Sequence, residues 1–348
     1  MRCLVERDVV NTRTHNNELR QVMIIGSGIV GQATGKGLIK RGISNVLFVD
    51  LNPQVLKSLG DQGFNVCSPA QIKNEIENFA ISMFCLPSPF NEELGKLELK
   101  HIKQSLVDYA KSLRNCKSKN NYHLIVIRST VPPGTTEKLL IPLIEKYSKM
   151  KAGSDFGVCM QPEFLRSVFS EQDFNNPRTI IIGEHDKYSG EVLERLYKFA
   201  GFKVPIVRVN LRTAEFVKYI GNYFNATRIS FANELWALAK ELGVDSNSAL
   251  EIALNAAEGF WNPSYATYGG QPYGGRCLPK DIKTFITFCK EIGVDMPILR
   301  AVASVNSKME VLAKQGDVPD GSIYRQHRDS NPPIVITENT NVISKKLK

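Results

Sequence analysis

Gln21-Val22-Met23-Ile24-Ile25-Gly26-Ser27-Gly28-Ile29-Val30-Gly31 is the stretch on which the fold turns. Gln21 to Ile25 is a short apolar run that breaks at a glycine, the pattern of a buried parallel strand. Helix-compatible residues follow from Gly31 to Lys40, and Asn45 to Asp50 reads as the next strand. A lone G-x-G-x-x-G is a weak signal. Here a strand precedes it, a helix follows it, and Asp50 ends the next strand nineteen residues after Gly31, which together specify a dinucleotide site. Gly26 permits the tight turn, Gly28 lets the backbone approach a pyrophosphate, and Gly31 lets the helix lie close to the strand. With Ile29 and Val30 they open the helix whose N-terminus stabilises phosphate charge. Asp50 can accept hydrogen bonds from both ribose hydroxyls and repels a 2′-phosphate, so NAD is expected rather than NADP.

Further apolar runs follow at Phe79 to Leu86, His123 to Ile127, Gly157 to Met160, Thr179 to Ile182 and Pro205 to Val209, separated by helical or turn-rich stretches. This alternation predicts an α/β fold, a Rossmann-type doubly wound parallel sheet. At Leu211 the pattern changes. Thirty-two residues to Leu242 contain no proline and only Gly221 as an interruption. Apolar residues on most faces predict a long helix buried between domains or subunits. Ser246 to Ala257, Pro279 to Ile292 and Pro297 to Leu312 read as further helices. The expected organisation is a polar extension at 1–20, a cofactor domain at 21–209, an all-α central domain at 210–314 and a disordered tail at 315–348, whose only β-like run is Ile334 to Thr337.

The chain has 348 residues, 43% hydrophobic and 23% charged, values of an ordinary globular protein. Its net charge of +9 is spread without a basic run, which argues against nucleic acid as a partner. No apolar run approaches the ~20 residues that span a bilayer, and the first twenty lack the apolar core of a signal peptide. The seven cysteines form no close pair, which fits a cytoplasmic protein with free thiols and offers no paired-cysteine metal site.

Five segments carry candidate chemistry. Lys218 and Asn222 are four apart on the long helix and share a face, where they could bind a hydroxyl or a developing oxyanion; an exposed lysine and an ordinary helix asparagine would look the same. In Gly274-Gly275-Arg276-Cys277-Leu278-Pro279-Lys280-Asp281 the glycines allow close approach to a ligand and Pro279 can start a helix. Cys277 near that N-terminus, beside Arg276 and Lys280, has its thiolate favoured, and Asp281 could orient a lysine or a water. Ser129 to Thr136 and Pro162 to Arg166 each follow a strand, as does Pro87-Ser88-Pro89, so Ser129, Thr130, Glu163, Pro87 and Ser88 line one edge of the sheet where ligands bind. Cys85, Cys159 and Cys289 sit in apolar settings and read as core.

In this order, these residues resemble the UDP-glucose/GDP-mannose dehydrogenase family. The strongest pieces are Ser129–Thr136, Pro162–Arg166, the run Ala214 to Asn222 continuing through Ile229 to Glu234, and Gly274–Asp281. The resemblance runs from about Val22 to about Leu312. It implies NAD-dependent, four-electron oxidation of a nucleotide sugar at C6 to the uronic acid, for polysaccharide precursor synthesis, with UDP-glucose the expected substrate. By motif, Cys277 resembles the nucleophile that captures the aldehyde as a thiohemiacetal and carries the thioester. Lys218 and Asn222 resemble the oxygen-stabilising pair, Asp281 the partner in proton transfer, Glu163 the residue of thioester hydrolysis and Thr130 a water holder. Phe164, Leu165, Tyr273, Gly274 and Gly275 fall in the substrate-binding segments, and the long helix resembles the dimer core of a homodimeric family.

Several positions depart from the family pattern. Ser167-Val168 stands where Glu-Gly is usual, Glu258 to Pro263 lacks an arginine given to the sugar across the dimer, and Arg276 replaces a small residue. The family's third domain, which closes over the crevice, is expected to be absent, since 315–348 is too short for it. Two other readings follow: a two-electron β-hydroxyacid-type dehydrogenase, which has a similar Lys-x-x-x-Asn pair but no thiol nucleophile, and a non-catalytic NAD- or sugar-nucleotide-binding protein.

Overall fold

The computed structural model describes residues 21–116, 122–263, 265–267, 269–275 and 277–316. The polar extension expected at 1–20 and the tail beyond 316, with Ile334 to Thr337, lie outside these residues. The chain divides into two compact units, one up to Gly221 and one from Asn222 onward.

The first unit is built on β1 (Gln21–Ile25), β2 (Asn45–Val49), β3 (Asn65–Cys67), β4 (Ile81–Phe84), β5 (His123–Ile127), β6 (Phe156–Met160), β7 (Ile180–Glu184) and β8 (Ile206–Asn210). Their order in the sheet is β8-β7-β6-β5-β4-β1-β2-β3. Ile24 pairs in parallel with Phe48 on one side and Met83 on the other, and Val126 with Cys159. The expectation of a wholly parallel sheet needs one correction. β6 and β7 pair antiparallel through Cys159 with Glu184 and Met160 with Gly183, so β7 and its parallel neighbour β8 run against the other six strands. The cause lies in the connection. Its only α-helix, Ser170–Asn175, has six residues, about 9 Å of rise, and its Phe174 lies against Gly37. No crossover helix carries the chain back to the amino-terminal edge, so it re-enters the sheet from the edge it left.

Side chains of each strand alternate between the two faces. Val22 and Ile24 pack with α1 (Ile29–Lys40) and with Leu193 and Leu196, while Met23 and Ile25 pack with Ile102, Leu106 and Ile144 from the helices of the opposite face. After α2 (Pro53–Asp61), those opposite helices are α3 (Lys100–Arg114) and α4 (Ile141–Ser148). α5 (Lys187–Phe199) carries Leu193 and Leu196. The sequence does not mark β3, three residues long, nor the two-stranded ribbon of Phe90–Asn91 with Lys96–Leu97.

α6 (Leu211–Leu242) spans the 32 residues expected and runs from the first unit into the second. The second unit continues with α7 (Ser246–Ala256), a short turn of helix at Glu258–Trp261, α8 (Leu278–Glu291) and α9 (Pro297–Gln315), which Gly316 ends in the left-handed conformation. Its core is small: Leu238, Cys289, Met296 and Leu299. Glu234 accepts the backbone N–H groups of Ile298 (2.7 Å) and Leu299 (3.2 Å) and so caps α9 from α6.

Candidate active site

The carboxyl ends of β1, β4, β5 and β6 lie along one edge, with Cys85 donating to the Ile25 carbonyl, Arg128 to Phe84 and Gln161 to Ile127. Gly26 turns there with φ +91°, and a Cβ on it would lie 2.7 Å from the Cys85 carbonyl oxygen. A Cβ on Gly31 would lie 1.9 Å from the Gly26 carbonyl oxygen, whereas one on Gly28 would meet nothing within 4 Å. The motif thus seats α1 on the strand and leaves room beside Gly28. The first turn of α1 has no acidic residue, so its positive end is left for an anion. Asp50 accepts the Ser27 N–H at 2.7 Å on one oxygen and the Asn52 N–H at 2.8 Å on the other. Two carboxylate oxygens offer about four acceptor sites, so hydroxyl donors can still bind to a carboxylate already held in place. Ile29 is exposed and Val30 packs partly into the α1 core. These residues fit an NAD pyrophosphate and ribose.

The loops after β4 and β5 are joined. Ser129 Oγ donates to the Leu86 carbonyl (2.7 Å) and accepts the Leu86 N–H (3.0 Å), and Ser88 Oγ donates to the Thr130 carbonyl (2.7 Å). Pro87, Ser88, Ser129 and Thr130 therefore come together, as expected from sequence. Ser129 commits its one hydroxyl proton to Leu86 and holds the edge from within.

Lys218 reaches from α6 to the loop after β6. Its Nζ donates to Glu163 Oε1 at 2.9 Å and to the Glu163 carbonyl. Glu163 Oε2 accepts the Leu165 N–H at 2.7 Å. The Phe164 ring lies 5.3 Å from the ammonium. Lys218 is only 6% exposed, and Glu163 neutralises its charge at close range. Gly221 leaves space for Phe164, whose ring would be 3.1 Å from a Cβ there. Asn222, one helical turn beyond Lys218, is exposed and belongs to the second unit.

In the second unit Cys277 is exposed and stands at the start of α8, where its carbonyl accepts the Asp281 N–H at 2.8 Å. Pro279 occupies the first turn, and Asp281 pairs with Lys280. Gly275 has φ +80°, a conformation glycine adopts freely. The Tyr273 N–H donates to Asn306 Oδ1 at 2.7 Å, and Asn306 Nδ2 donates to Glu310 at 3.0 Å. The glycine loop is thereby anchored to α9. Arg276 lies outside the described residues. The other cysteines differ: burial pushes the Cys85 and Cys67 thiols up to about 11 and raises those of Cys159 and Cys289. Cys85, Cys159 and Cys289 are core residues, as expected. Among the described residues no group of three or more His, Cys, Asp or Glu could hold a metal ion.

Sequence reasoning missed three residues. Asn306 anchors the glycine loop. Arg128 is buried against Gln161 and the Tyr197 hydroxyl. Glu215, fully buried, accepts the N–H groups of Gly134 and Thr136. Arg128 carried a signal, a charge set directly after an apolar strand, and Glu215 lay in the helical run that carries the resemblance, while Asn306 carried none.

The profile of the UDP-glucose/GDP-mannose dehydrogenase family's NAD binding domain matches residues 20–200, and that of its central domain residues 212–308. GDP-mannose 6-dehydrogenase of Pseudomonas syringae pv. tomato is 38% identical over 232 residues, 65% of this chain and 50% of that protein. UDP-glucose 6-dehydrogenase of Haloferax volcanii is 30% identical over 307 residues, 82% of this chain and 69% of that one. A crystal structure of a ternary complex of GDP-mannose dehydrogenase from Pseudomonas aeruginosa superposes with a TM-score of 0.76 at 30% identity, covering 83% of this chain and 69% of that one. The chain spans about half the length of several of the curated relatives it matches. NAD is the cofactor of the matched N-terminal domain. With both of its units matched in order, the chain belongs to the UDP-glucose/GDP-mannose dehydrogenase family.

Proposed function

We propose that the protein oxidises a nucleotide sugar at C6 to the uronic acid in two two-electron steps, supplying a polysaccharide precursor. The observation that carries this reading is Cys277: exposed, at a helix start, directly beyond a glycine loop, in a chain whose other unit has the NAD-binding fold. The relatives' names divide between GDP-mannose and UDP-glucose. The higher identity of the former puts GDP-mannose beside the UDP-glucose expected from sequence.

Gly26, Gly28, Ile29, Val30, Gly31 and Asp50, with Pro87, Ser88, Ser129 and Thr130, would hold NAD, which when bound accepts hydride. Phe164, Leu165, Tyr273, Gly274 and Gly275 would hold the sugar. Lys218 and Asn222 stabilise the oxygen at C6 as it gains negative charge. The Cys277 sulfur adds to the aldehyde carbon, keeping a reactive species bound as a thiohemiacetal, and then carries the acyl group as a thioester. Water releases the acid, with Glu163, Asp281 and Thr130 placing the water and moving its protons. In this reading the cofactor domain is 21–209 and the central domain 210–314. The protein works in the cytoplasm as a homodimer through α6, and the apolar side chains exposed on that helix, among them Tyr223, Ile229 and Trp236, support the pairing.

The test is NADH formed per nucleotide sugar consumed, with GDP-mannose and UDP-glucose offered separately and NAD in excess. A ratio near ~2 is expected, one hydride for each of two steps. A ratio near ~1 with aldehyde released would replace this reading by a two-electron dehydrogenase. NADH binding without turnover of either sugar would replace it by a binding protein.

A further inference from the structure

We propose that Glu215 positions the loop after β5 for the cofactor, and that one turn of α6, from Glu215 to Lys218, sets the loops of β5 and β6 in register. The inference rests on the cofactor reading above for what the loop binds, and on geometry alone for what holds it.

Glu215 is 0% exposed, yet no ion pair neutralises it among the described residues. Its two carboxylate oxygens instead take the backbone N–H groups of Gly134 and Thr136, the latter at 2.8 Å. Thr136 begins the helical stretch that leads into α4. The first amides of a helix have no partner within it, so a buried carboxylate from another element caps this one through charge-assisted bonds. Gly134 has φ +89°, so the chain reverses where Glu215 grips it.

The loop is therefore fixed at both ends. At Ser129 and Thr130 it is bonded to the loop after β4, and at Gly134 and Thr136 to α6. Residues three apart share a helix face, and three residues after Glu215, Lys218 grips Glu163 beyond β6. A shift of this turn of α6 would move the cofactor-side and sugar-side loops together. Glu215 touches neither reacting atoms nor cofactor in this scheme; it is a positioning residue.

The test compares the full chain with Glu215→Gln, Glu215→Asp and a control, Glu137→Gln. Glu137 is half-exposed and, among the described residues, pairs with Arg212 alone. Glutamine keeps the shape but turns an amide N–H₂ toward a backbone N–H. Two quantities are read at a temperature where all variants are folded: amide hydrogen exchange across residues 129–140, and the Kd for NADH. Glu215→Gln should lose protection at Gly134 and Thr136 and bind NADH about tenfold more weakly. Glu215→Asp, a shorter acceptor, should fall between it and the parent, and it serves alone if the glutamine variant does not fold. Glu137→Gln should match the parent in both. Unchanged protection at Gly134 and Thr136 overturns the proposal. So does a lowered melting temperature with an NADH Kd within twofold of the parent, the result a merely structural role gives. A parent chain that binds no NADH refutes the cofactor reading instead, and loss of protection in Glu215→Gln would then still support Glu215 as the residue that holds the loop.

Discussion

Cys277 and Cys85 show how far surroundings decide what a thiol can do. Cys85 is held in the core, where burial raises its thiol to about 11. Cys277 is open to solvent at the position that precedes the first residue of α8. Cys277→Ser should therefore abolish acid formation, by at least about a thousandfold, because an alcohol does not replace a thiol as nucleophile. NADH affinity should stay within about twofold, since the residues expected to hold NAD all belong to the first unit. The paired measurement is uronic acid produced and NADH bound by the same preparation; equal turnover by the serine variant would exclude the covalent route. At this scale the sequence was informative where a residue acts beside its own motif, as with Asp50 beside Ser27. It was silent where the role depends on a partner far along the chain. Glu215 answers to amides some 80 positions away, and Asn306 to one 33 positions away. No local pattern encodes either contact.

Helix α1 separates two uses of glycine within one motif. A methyl on Gly31 would overlap the Gly26 carbonyl at 1.9 Å, a contact with backbone that cannot rotate away. A methyl on Gly28 would meet no atom of the chain, and φ −74° there is open to any residue. Gly31→Ala should cost about 3 kcal/mol, the upper end for overpacking, and lower the melting temperature of the first unit by about 6–10 °C. Gly28→Ala should leave that melting temperature within about 1 °C and, on the proposed placement of the pyrophosphate beside Gly28, weaken NADH binding about tenfold. Thermal unfolding and NADH titration of the two variants would check the division, and equal melting temperatures would contradict it. The strands and helices themselves were largely readable, since the buried strands here are short, mostly apolar runs such as Val22–Ile25 and Leu124–Ile127, and α6 has no breaker but Gly221. Strand direction was not readable. β7 opens with three consecutive isoleucines, as apolar as the parallel strands, and the short connection before it reverses its sense.

The second unit has little interior of its own. Leu238, Cys289, Met296 and Leu299 make up its core cluster, while Tyr223 is 76% exposed, Ile252 69%, Ile229 64% and Trp236 58%. Soluble monomers seldom leave apolar surface of that extent in water, and a helical unit with so few buried side chains gains little from its own packing. α6 carries three of the four residues just named. The apolar residues on most of its faces suggested, at the sequence level, burial between subunits or domains, although sequence could not say which residues would stay uncovered by the chain's own helices. We expect the full chain to sediment at twice its 38.9 kDa, with α6 of one copy against α6 of the other. Trp236→Asp should shift the equilibrium toward the monomer by at least about 2 kcal/mol, a charge replacing a buried aromatic anchor, and should make the melting temperature of the second unit independent of concentration. Phe90→Asp, which changes an exposed apolar residue of the first unit's ribbon, should leave the mass unchanged. Analytical ultracentrifugation over a hundredfold range of concentration checks both; a parent protein that stays at 38.9 kDa throughout would mean that these side chains are covered by something other than a second copy.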